Sequence, residues 1–355
     1  MKKKILSALL CVAMVATMLI GCGQQSGGGD AGKDGYKFEI VSKGFQHQYW
    51  QAVLKGSQNK AKELGDTINF VGPDSESDIA GQVQMLQSAI NAGPNAIGLA
   101  ALDTKACLDA IVAAQDAGIP IVGFDSGVPG APEGAIVANA ATDNYAAGVL
   151  AAEETFKLIE ANLKAGVRIG VMGQDATAES IINRGLGFID KIAELVKGKG
   201  LTVTVEGNDK YVADCKVDKA EGADVVIEVL VPSEVKNDLS IIDGQTLLNK
   251  ADTICIYGSN QFSAENLVSA DENIGRLGKD VVGVGFDSGA ALKAAVKSGK
   301  LAGAITQAPV AMGEKLVELL HAAASKQSVS DVDTGCQWYT AENMENAEIA
   351  QNLYD

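Results

Sequence analysis

Histidine, aromatic residues and positive charge are all scarce in this sequence of 355 residues. Its two histidines, His47 and His321, provide little material for histidine-based catalysis or for a histidine-rich metal site. Lys and Arg number 29 against 45 Asp and Glu, and the net charge of −16 disfavours binding to nucleic acids and anionic membrane surfaces. Neither a G-x-S-x-G nucleophile elbow nor a Walker A loop occurs. We therefore predict a protein that is not an enzyme, binds no nucleic acid and requires no cofactor or metal.

Cysteine is sparse as well, and its spacing excludes the usual motifs. Beyond residue 35 the cysteines are too far apart for a C-x-x-C metal or redox motif, so buried free thiols are the default interpretation. An exported location would permit disulfides, but the sequence alone cannot pair these residues. They are Cys107, Cys215, Cys255 and Cys336.

The first 35 residues have the pattern of an export signal followed by a tether. Three lysines precede an apolar stretch from Ile5 to Ile20, which is short for a membrane-spanning helix. Gly21 directly before Cys22 resembles the lipobox of bacterial lipoproteins, which implies a signal peptide over residues 1–21 and lipidation of Cys22. The Gly-rich residues 22–35 predict a flexible tether. We expect an extracytoplasmic protein held to the membrane by lipid, with an ordinary signal peptide or anchor helix as the alternative.

From residue 36 onward, short apolar runs alternate with segments of helical periodicity. Apolar residues make up 47% of the chain, enough for a large core. The runs 38–41, 96–100 and 119–124 predict buried parallel strands, and segment 78–92 places its apolar residues on one helical face. This alternation predicts an α/β fold with doubly wound sheets. The strands are too many for one sheet, so we expect two such domains.

One six-residue sequence occurs twice, as Val122–Gly127 and again as Val284–Gly289. Each copy ends an apolar strand with an aspartate, Asp125 or Asp287. Ligands of open α/β sheets bind outside the carboxyl ends of the strands, so the two carboxylates predict one cleft lined from both sides. Helix N-capping is the alternative for Asp287, and a pair of glycosidase carboxylates is the enzymatic one. Asp103, which precedes a helical segment, is interpreted as an N-cap.

An aromatic cluster follows the first predicted strand, although aromatic residues make up only 5% of the chain. It contains Phe45, Tyr49 and Trp50, with His47 between them. We expect one of the adjacent rings at 49 and 50 to pack inward and the other to face the cleft, because adjacent helical positions point in different directions. An aromatic surface surrounded by polar groups suits a sugar ring. Core packing of both rings is the alternative.

These motifs, in this order, are similar to those of the type I periplasmic-binding-protein family, and in particular to its ribose- and galactose-binding receptors of sugar ABC importers. The resemblance covers residues 37–340. It rests on seven segments: Gly44–Trp50 with Lys55 and Gly56, Gly118–Asp125, Thr142–Asn144, Asn183–Phe188, Ser259–Asn260, Val284–Asp287 and Thr306–Pro309.

The resemblance implies two doubly wound parallel-sheet domains joined by a hinge that the chain crosses three times. The N-terminal lobe would comprise residues 36–125 and 307–330, and the C-terminal lobe residues 126–306 and 331–355. The crossings would lie near 125–128, 306–308 and 331–335.

It also implies a ligand site. Tyr49 and Trp50 would stack on the ligand, and His47 would replace a hydrogen-bonding asparagine. Asp125 would accept hydrogen bonds from ligand hydroxyls, and Arg184 would donate. The second lobe and the hinge would contribute further polar groups and walls, namely Asn260, Asp287, Gln307, Phe286 and Tyr211.

Three departures from the family pattern leave ribose itself in doubt. Ala100 and Ser126 stand where ribose receptors have an asparagine and often an arginine, which predicts a larger and less polar pocket on the first-lobe side. Residues 206–231 form a charged, partly β-rich insert. A hexose, a pentitol or another small polyol is equally compatible with the sequence.

The resemblance implies a monomeric solute-binding lipoprotein that captures a monosaccharide or small polyol by hinge closure and delivers it to the permease of an ABC importer. The alternative is a receptor that passes occupancy by a sugar or a signalling furanose to a chemoreceptor or sensor kinase.

Overall fold

The computed structural model describes residues 35–354. The predicted signal peptide, the lipidation site Cys22 and nearly all of the predicted tether therefore lie outside the described residues. Within residues 35–354, no helix has the length and apolar character needed to cross a membrane. The four cysteines in this range carry free thiols; Cys107 and Cys255 are buried, and Cys215 and Cys336 are half-buried.

The first part of the chain alternates strands and helices as predicted and builds a six-stranded parallel sheet. Its apolar strands are short and flanked by turns, which suits strands covered on both faces. The elements up to the first crossing are β1 (Lys37–Val41), α1 (Gln48–Leu64), β2 (Thr67–Val71), α2 (Ile79–Asn91), β3 (Ala96–Leu99), α3 (Leu108–Asp116), β4 (Ile121–Phe124) and β5 (Ile136–Ala141). A late strand, β12 (Val332–Asp333), completes the sheet, and the strand order is β12-β5-β4-β3-β1-β2.

A seven-stranded sheet of order β13-β11-β10-β9-β6-β8-β7 forms the second lobe, and only its edge strand β13 is antiparallel. Its elements are α4 (Asn144–Ile159), β6 (Val167–Met172), α5 (Glu179–Gly198), β7 (Val203–Gly207), α6 (Asp209–Asp214), β8 (Val225–Leu230), α7 (Asn237–Leu248), β9 (Thr253–Gly258), α8 (Gln261–Ala270), β10 (Val282–Phe286), α9 (Ala290–Lys297) and β11 (Gly303–Gln307). The remaining elements are α10 (Pro309–Ala324), β12 (Val332–Asp333), β13 (Cys336–Tyr339) and α11 (Ala347–Ala350).

The chain passes between the two sheets three times, but the first crossing differs from the prediction. β5 pairs with β4 in the first sheet, so residues 126–141 belong to the first lobe and the crossing follows Ala141 rather than 125–128. The second crossing follows Gln307, as predicted. β12 returns to the first sheet beside β5, so the third falls at residues 334–335. The turn-rich segment 127–135 between β4 and β5 hid the extra strand in the sequence.

Each sheet has a hydrophobic core on both faces, which is the arrangement of a doubly wound fold. In the first lobe, one core lies under α1 and α10 around Trp50 and Leu316, and the other under α2 and α3 around Leu86 and Ile111. The second lobe likewise has two cores. The predicted α/β class with two doubly wound domains is confirmed.

The observed strands and helices decide two local predictions, on residues 206–231 and on Asp103. The predicted insert 206–231 is an ordinary strand–helix–strand passage, because β8 pairs between β6 and β7 within the second sheet. Asp103 is not the N-cap of α3, which is Cys107, although its carboxylate accepts from the backbone N–H groups of Lys105 and Ala106 in the manner of a cap. The capped segment is a turn, and α3 itself begins at Leu108.

Candidate functional site

A cavity of about 410 Å³ lies between the carboxyl ends of the two sheets. Both lobes contribute to its wall. From the first lobe come Lys43, Gly44, Phe45, Gln46, His47, Tyr49, Trp50, Asp74, Ser75, Glu76 and Asp125. From the second lobe and the hinge come Gln174, Ile181, Arg184, Val235, Asn237, Asn260, Gln261, Phe262, Asp287 and Gln307.

The two aspartates of the repeated sequence occupy equivalent positions, directly after β4 and β10. Both adopt left-handed backbone conformations, with φ of 57° at Asp125 and 74° at Asp287. Such conformations are costly for residues other than glycine and are concentrated at functional sites. Asp287 does not cap the helix that follows it; its Oδ2 accepts from the backbone N–H of Gln261, the first residue of α8 (3.2 Å). Both carboxylates line the cavity, Asp125 from the first lobe and Asp287 from the second.

Lys43 is the main cavity residue that the sequence analysis missed. It follows β1 and is almost fully buried, with Nζ 2.8 Å from Asp125 Oδ2 and 3.1 Å from Ser180 Oγ of the second lobe. Burial lowers the pKa of this ammonium, but the charges of Asp125 and Glu76 together raise it by more than burial lowers it. The pKa of Lys43 therefore lies above its ordinary value. Lys43 therefore supplies a fixed positive charge. A lysine directly after a strand and before an aromatic cluster is the signal that could have identified it.

Arg184 lies on α5 with its side chain buried at the base of the cavity. Its guanidinium rests on the ring of Phe286 (4.1 Å from Cζ to the ring centre), and its Nε donates to Asn144 Oδ1 at 2.8 Å. Its Nη atoms lie 4.0 Å from Asp125 and 3.8 Å from Asp287, beyond hydrogen-bonding distance. Within the described range, Nη2 has no hydrogen-bond partner. Arg184 thus presents an unused donor between two carboxylates.

The glycines around Arg184 explain the Arg-Gly-x-Gly-Phe motif. A Cβ at Gly185 would lie 2.4 Å from the ring of Tyr211, and one at Gly187 would lie 2.1 Å from the carbonyl oxygen of Tyr145. On α4, a Cβ at Gly148 would lie 2.2 Å from the carbonyl oxygen of Arg184. Close packing of α4 and α5 therefore fixes the backbone that carries the guanidinium.

The two adjacent rings do not divide between core and cleft as predicted. Tyr49 and Trp50 both line the cavity and both pack in the first-lobe core, in edge-to-face contact with ring centres 4.9 Å apart. The Tyr49 hydroxyl donates to Asp125 Oδ1 at 2.9 Å. Burial, together with the charges of Asp125 and Asp287, raises the pKa of this hydroxyl well above its ordinary value, so it stays protonated. His47 caps α1, with its Nδ1 accepting from the backbone N–H of Tyr49.

A chain of hydrogen-bonded side chains in the cavity wall links the two lobes. Trp50 Nε1 donates to Glu76 Oε1 at 2.7 Å, and Gln174 of the second lobe donates to Glu76 Oε2 at 3.0 Å. The Gln174 carbonyl oxygen accepts from Asn260 Nδ2 at 2.7 Å. At the hinge, Gln307 donates to Asp287 Oδ1 at 2.6 Å. Glu76 and Gln174 were not identified from the sequence because both lie in loops, without a periodic pattern.

Most predicted site residues meet at the cavity, but three expectations about them are corrected. His47, Tyr49, Trp50, Asp125, Arg184, Asn260, Asp287 and Gln307 all line it. Phe286 lies beneath Arg184 instead, and Tyr211 packs against α5, so neither is a wall. Ala100 and Ser126 do not line the cavity either; Ser126 Oγ accepts from the backbone N–H of Ser180. Lys43 supplies a charge to the first-lobe wall.

Comparison with known proteins agrees with this architecture. A family model described as "Periplasmic binding protein domain" matches residues 38–328. The ribose import binding protein of Bacillus subtilis is 24% identical over 286 residues, which are 79% of this chain and 81% of that protein.

Two solved structures are each 30% identical and cover 90% of this chain. One is a Brachyspira murdochii protein described as "ABC transporter, LacI family transcriptional regulator" (TM-score 0.76, 99% of that chain), and the other an Agrobacterium vitis ABC transporter solute-binding protein with bound D-fucose (TM-score 0.74, 100% of that chain). The match over residues 38–328, on two parallel-dominated sheets with a cavity between them, shows that this chain belongs to the type I periplasmic binding proteins, in their sugar-binding family.

Proposed function

We propose that this protein is an extracytoplasmic solute-binding lipoprotein that captures a monosaccharide or small polyol in the interlobe cavity and delivers it to an ABC importer. The observation that carries the proposal is that Arg184 Nη2, buried near the carboxylates of Asp125 and Asp287, has no hydrogen-bond partner within residues 35–354. A buried donor without a partner costs free energy unless a ligand supplies an acceptor.

The chemistry of the wall favours a polyhydroxylated ligand. Tyr49 and Trp50 offer apolar surface to the C–H face of a ring, whereas Asp125, Asp287 and Arg184 offer acceptors and donors to hydroxyl groups. A volume of about 410 Å³ falls within the range of roughly 300–1,000 Å³ for small-ligand sites. The D-fucose and ribose in the descriptions of similar proteins support a sugar of this size.

Hinge closure is the proposed mechanism. Ligand binds one lobe of an open form, and rotation at the three crossings brings the second lobe onto it. The interlobe bonds Lys43–Ser180 and Glu76–Gln174 would have to break for the cleft to open. Closure removes water from the cavity, which strengthens each hydrogen bond to the ligand. The closed surface would then be recognised by a permease.

The ligand is tested with residues 36–355 and a panel of pentoses, hexoses, polyols and nucleosides. A sugar at ~100 times its Kd should stabilise the protein by about 2.7 kcal/mol, which thermal unfolding detects readily. Arg184→Ala should abolish the shift, whereas Arg276→Ala, an arginine on another part of the second lobe, should keep it. Absence of a shift with every sugar and polyol would overturn the sugar assignment, and a shift with nucleosides alone would replace it.

The lipid anchor and the transport role need separate tests. Metabolic labelling with a fatty-acid analogue should mark the full chain, and Cys22→Ala should remove the label and release the protein from the membrane. Deletion of the gene should abolish uptake of the radiolabelled sugar that gives the largest thermal shift. Normal uptake with a lost chemotactic or transcriptional response would favour the receptor alternative.

A further inference from the structure

Tyr354, near the end of the sequence, is buried and contacts the turn after Asp287 and two residues of the cavity wall, Gln261 and Tyr49. Its backbone N–H donates to Ser288 Oγ at 3.0 Å, and its carbonyl oxygen accepts from the Gly289 N–H at 3.1 Å. Its hydroxyl donates to Gln261 Oε1 at 3.1 Å. Its ring stands edge-on to that of Tyr49, with centres 5.9 Å apart.

We propose that Tyr354 is a positioning residue for ligand binding, which holds Gln261, the turn after Asp287 and the ring of Tyr49 in their binding geometry. The proposal rests on the proposed sugar-binding function, since all three of these parts belong to the cavity or adjoin it. Tyr354 itself does not line the cavity, so it acts through its neighbours.

The turn after β10 needs such support because its backbone is strained. Asp287 has φ of 74° and Gly289 has φ of 105°, on either side of Ser288. α9 begins at residue 290 without a side-chain cap on its first N–H groups. The two backbone bonds from Tyr354 clamp the residues between the aspartate and the helix. Strained conformations of this kind persist only when the surroundings fix them.

Gln261 is fixed by the same contact. Its backbone N–H donates to Asp287 Oδ2 (3.2 Å), and its side-chain Nε2 donates to Glu265 Oε1 at 2.7 Å. The bond from the Tyr354 hydroxyl to Oε1 holds the other end of the same amide. With both ends bonded, the amide of this cavity residue has a single orientation, which lowers the entropy lost when ligand binds.

Tyr354 also joins the two lobes. Its hydrogen bonds go to the second lobe, whereas its ring packs in the first-lobe core with Tyr49, whose hydroxyl bonds to Asp125. Two residues earlier, the carbonyl oxygen of Asn352 accepts from Thr306 Oγ1 at 3.0 Å, directly before the second crossing. The segment that carries Tyr354 is therefore bound to the hinge as well as to the site.

The test uses full-length Tyr354→Phe and Tyr354→Ala with Tyr145→Phe as the control. The control substitution removes a comparable hydrogen bond, which the Tyr145 hydroxyl donates to Asp190 Oδ2 at 2.8 Å, away from the cavity. The first readout is amide hydrogen exchange without sugar: Tyr354→Ala should speed exchange at Ser288 and Gly289 about tenfold or more, and the control should not.

The second readout is the Kd for D-ribose, D-fucose, D-arabinose and D-allose, each titrated separately. For any of these sugars that the wild type binds, we expect about 3–10-fold weaker binding for Tyr354→Phe and a larger loss for Tyr354→Ala. The phenylalanine variant keeps the ring and so separates positioning from folding. Unchanged exchange at residues 288–289 would overturn the proposal, as would unchanged Kd values. If the wild type binds none of the four sugars, the exchange readout alone decides, and only the sugar assignment is in question.

Discussion

Asp125 and Asp287 hold the same left-handed backbone conformation at the ends of corresponding strands, with φ of 57° and 74°. The repeated Val-Gly-Phe-Asp-Ser-Gly sequence therefore repeats an unfavourable geometry as well as a carboxylate. A residue other than glycine pays roughly 1–2 kcal/mol for this conformation. Hydrogen bonds to the backbone help to hold this conformation. The carbonyl oxygen of Asp125 accepts from Asn144 Nδ2, and that of Asp287 accepts from the Tyr339 hydroxyl.

Because Asp125 has a left-handed backbone conformation, glycine at this position should give a more stable protein than alanine, the reverse of the usual order. Both Asp125→Gly and Asp125→Ala remove the carboxylate and should lose sugar binding. The glycine variant should nevertheless be more stable, by about 0.5–1 kcal/mol after its greater unfolded-state entropy is counted. Thermal unfolding of the two variants measures the difference. As a control, the glycine and alanine variants of Asp109, which is exposed on α3, should show the opposite order, with alanine the more stable. If Asp125→Ala were as stable as Asp125→Gly, the argument from strain would be contradicted.

Lys43 should contribute far more to stability than an exposed lysine in a similar ion pair. Lys43→Met removes one partner of a buried pair and leaves Asp125 with uncompensated charge, which typically costs about 3–5 kcal/mol. Lys315→Met breaks the Lys315–Glu318 pair on the surface of α10 and should change stability by less than about 1 kcal/mol. Melting temperatures and sugar titrations of both variants test this. Equal melting temperatures would show that the buried pair is not maintained in solution.

The strand-end aspartates and the aromatic cluster were predictable because local pattern determines them. Parallel strands bring their carboxyl ends to one edge, so a motif at a strand end predicts a cleft residue without knowledge of the partner. The contacts of Lys43 and Gln174 were not predictable in this way, since Lys43 bonds to Ser180 and Gln174 to Glu76 of the opposite lobe. Such pairings are set by the relative position of the lobes, which local periodicity does not encode.

Two of the corrected predictions, on Phe286 and on residues 126–141, have the same kind of cause. Phe286 precedes Asp287 directly, so alternation along the strand turns its ring away from the cavity and under Arg184. Residues 126–141 were assigned to the wrong lobe because the place of β5 in the first sheet is set by tertiary pairing with β4 and β12. Adjacency in sequence indicates which residues are near a site, but not which of them face it.

Protonation of Glu179 should make the stability of the protein depend on pH. Glu179 lies between the lobes, where Oε2 accepts from the Gly127 N–H. Burial raises the pKa of Glu179, and the negative charge of the nearby Asp125 raises it too. The hydrogen bond from Gly127 and the positive charges of Lys43 and Arg184 lower the pKa, but they offset only part of the rise. Because the folded-state pKa lies above the unfolded value of 4.5, the ionised form is disfavoured in the folded protein. This penalty is absent below the unfolded pKa and complete above the folded one.

Glu179→Gln should therefore raise the melting temperature near pH 8, and the gain should disappear below about pH 4. Glutamine can still accept from the Gly127 N–H but not also from Asn183 Nδ2, which donates to the other carboxylate oxygen. Because the loss of that second acceptor is the same at every pH, the pH dependence of the gain isolates the charge. Glu272→Gln, at an exposed position after α8, should have little effect at either pH. A gain of the same size at both ends of the pH range would exclude ionisation as its cause.

The Glu76–Gln174 bond should slow release of a bound sugar. This bond joins the two lobes directly, so we expect its loss to favour the open form more than it weakens contacts with the ligand. Gln174→Ala should raise the dissociation rate of the sugar identified by thermal shift about tenfold, with a smaller change in association rate. Stopped-flow tryptophan fluorescence can follow this, because Trp50 donates to the same Glu76 carboxylate.

Gln115→Ala, which removes an exposed glutamine bonded to the Glu133 carbonyl oxygen, should leave both rates unchanged. A slower association rate with unchanged dissociation would mean that the bond guides ligand entry rather than holding the cleft closed.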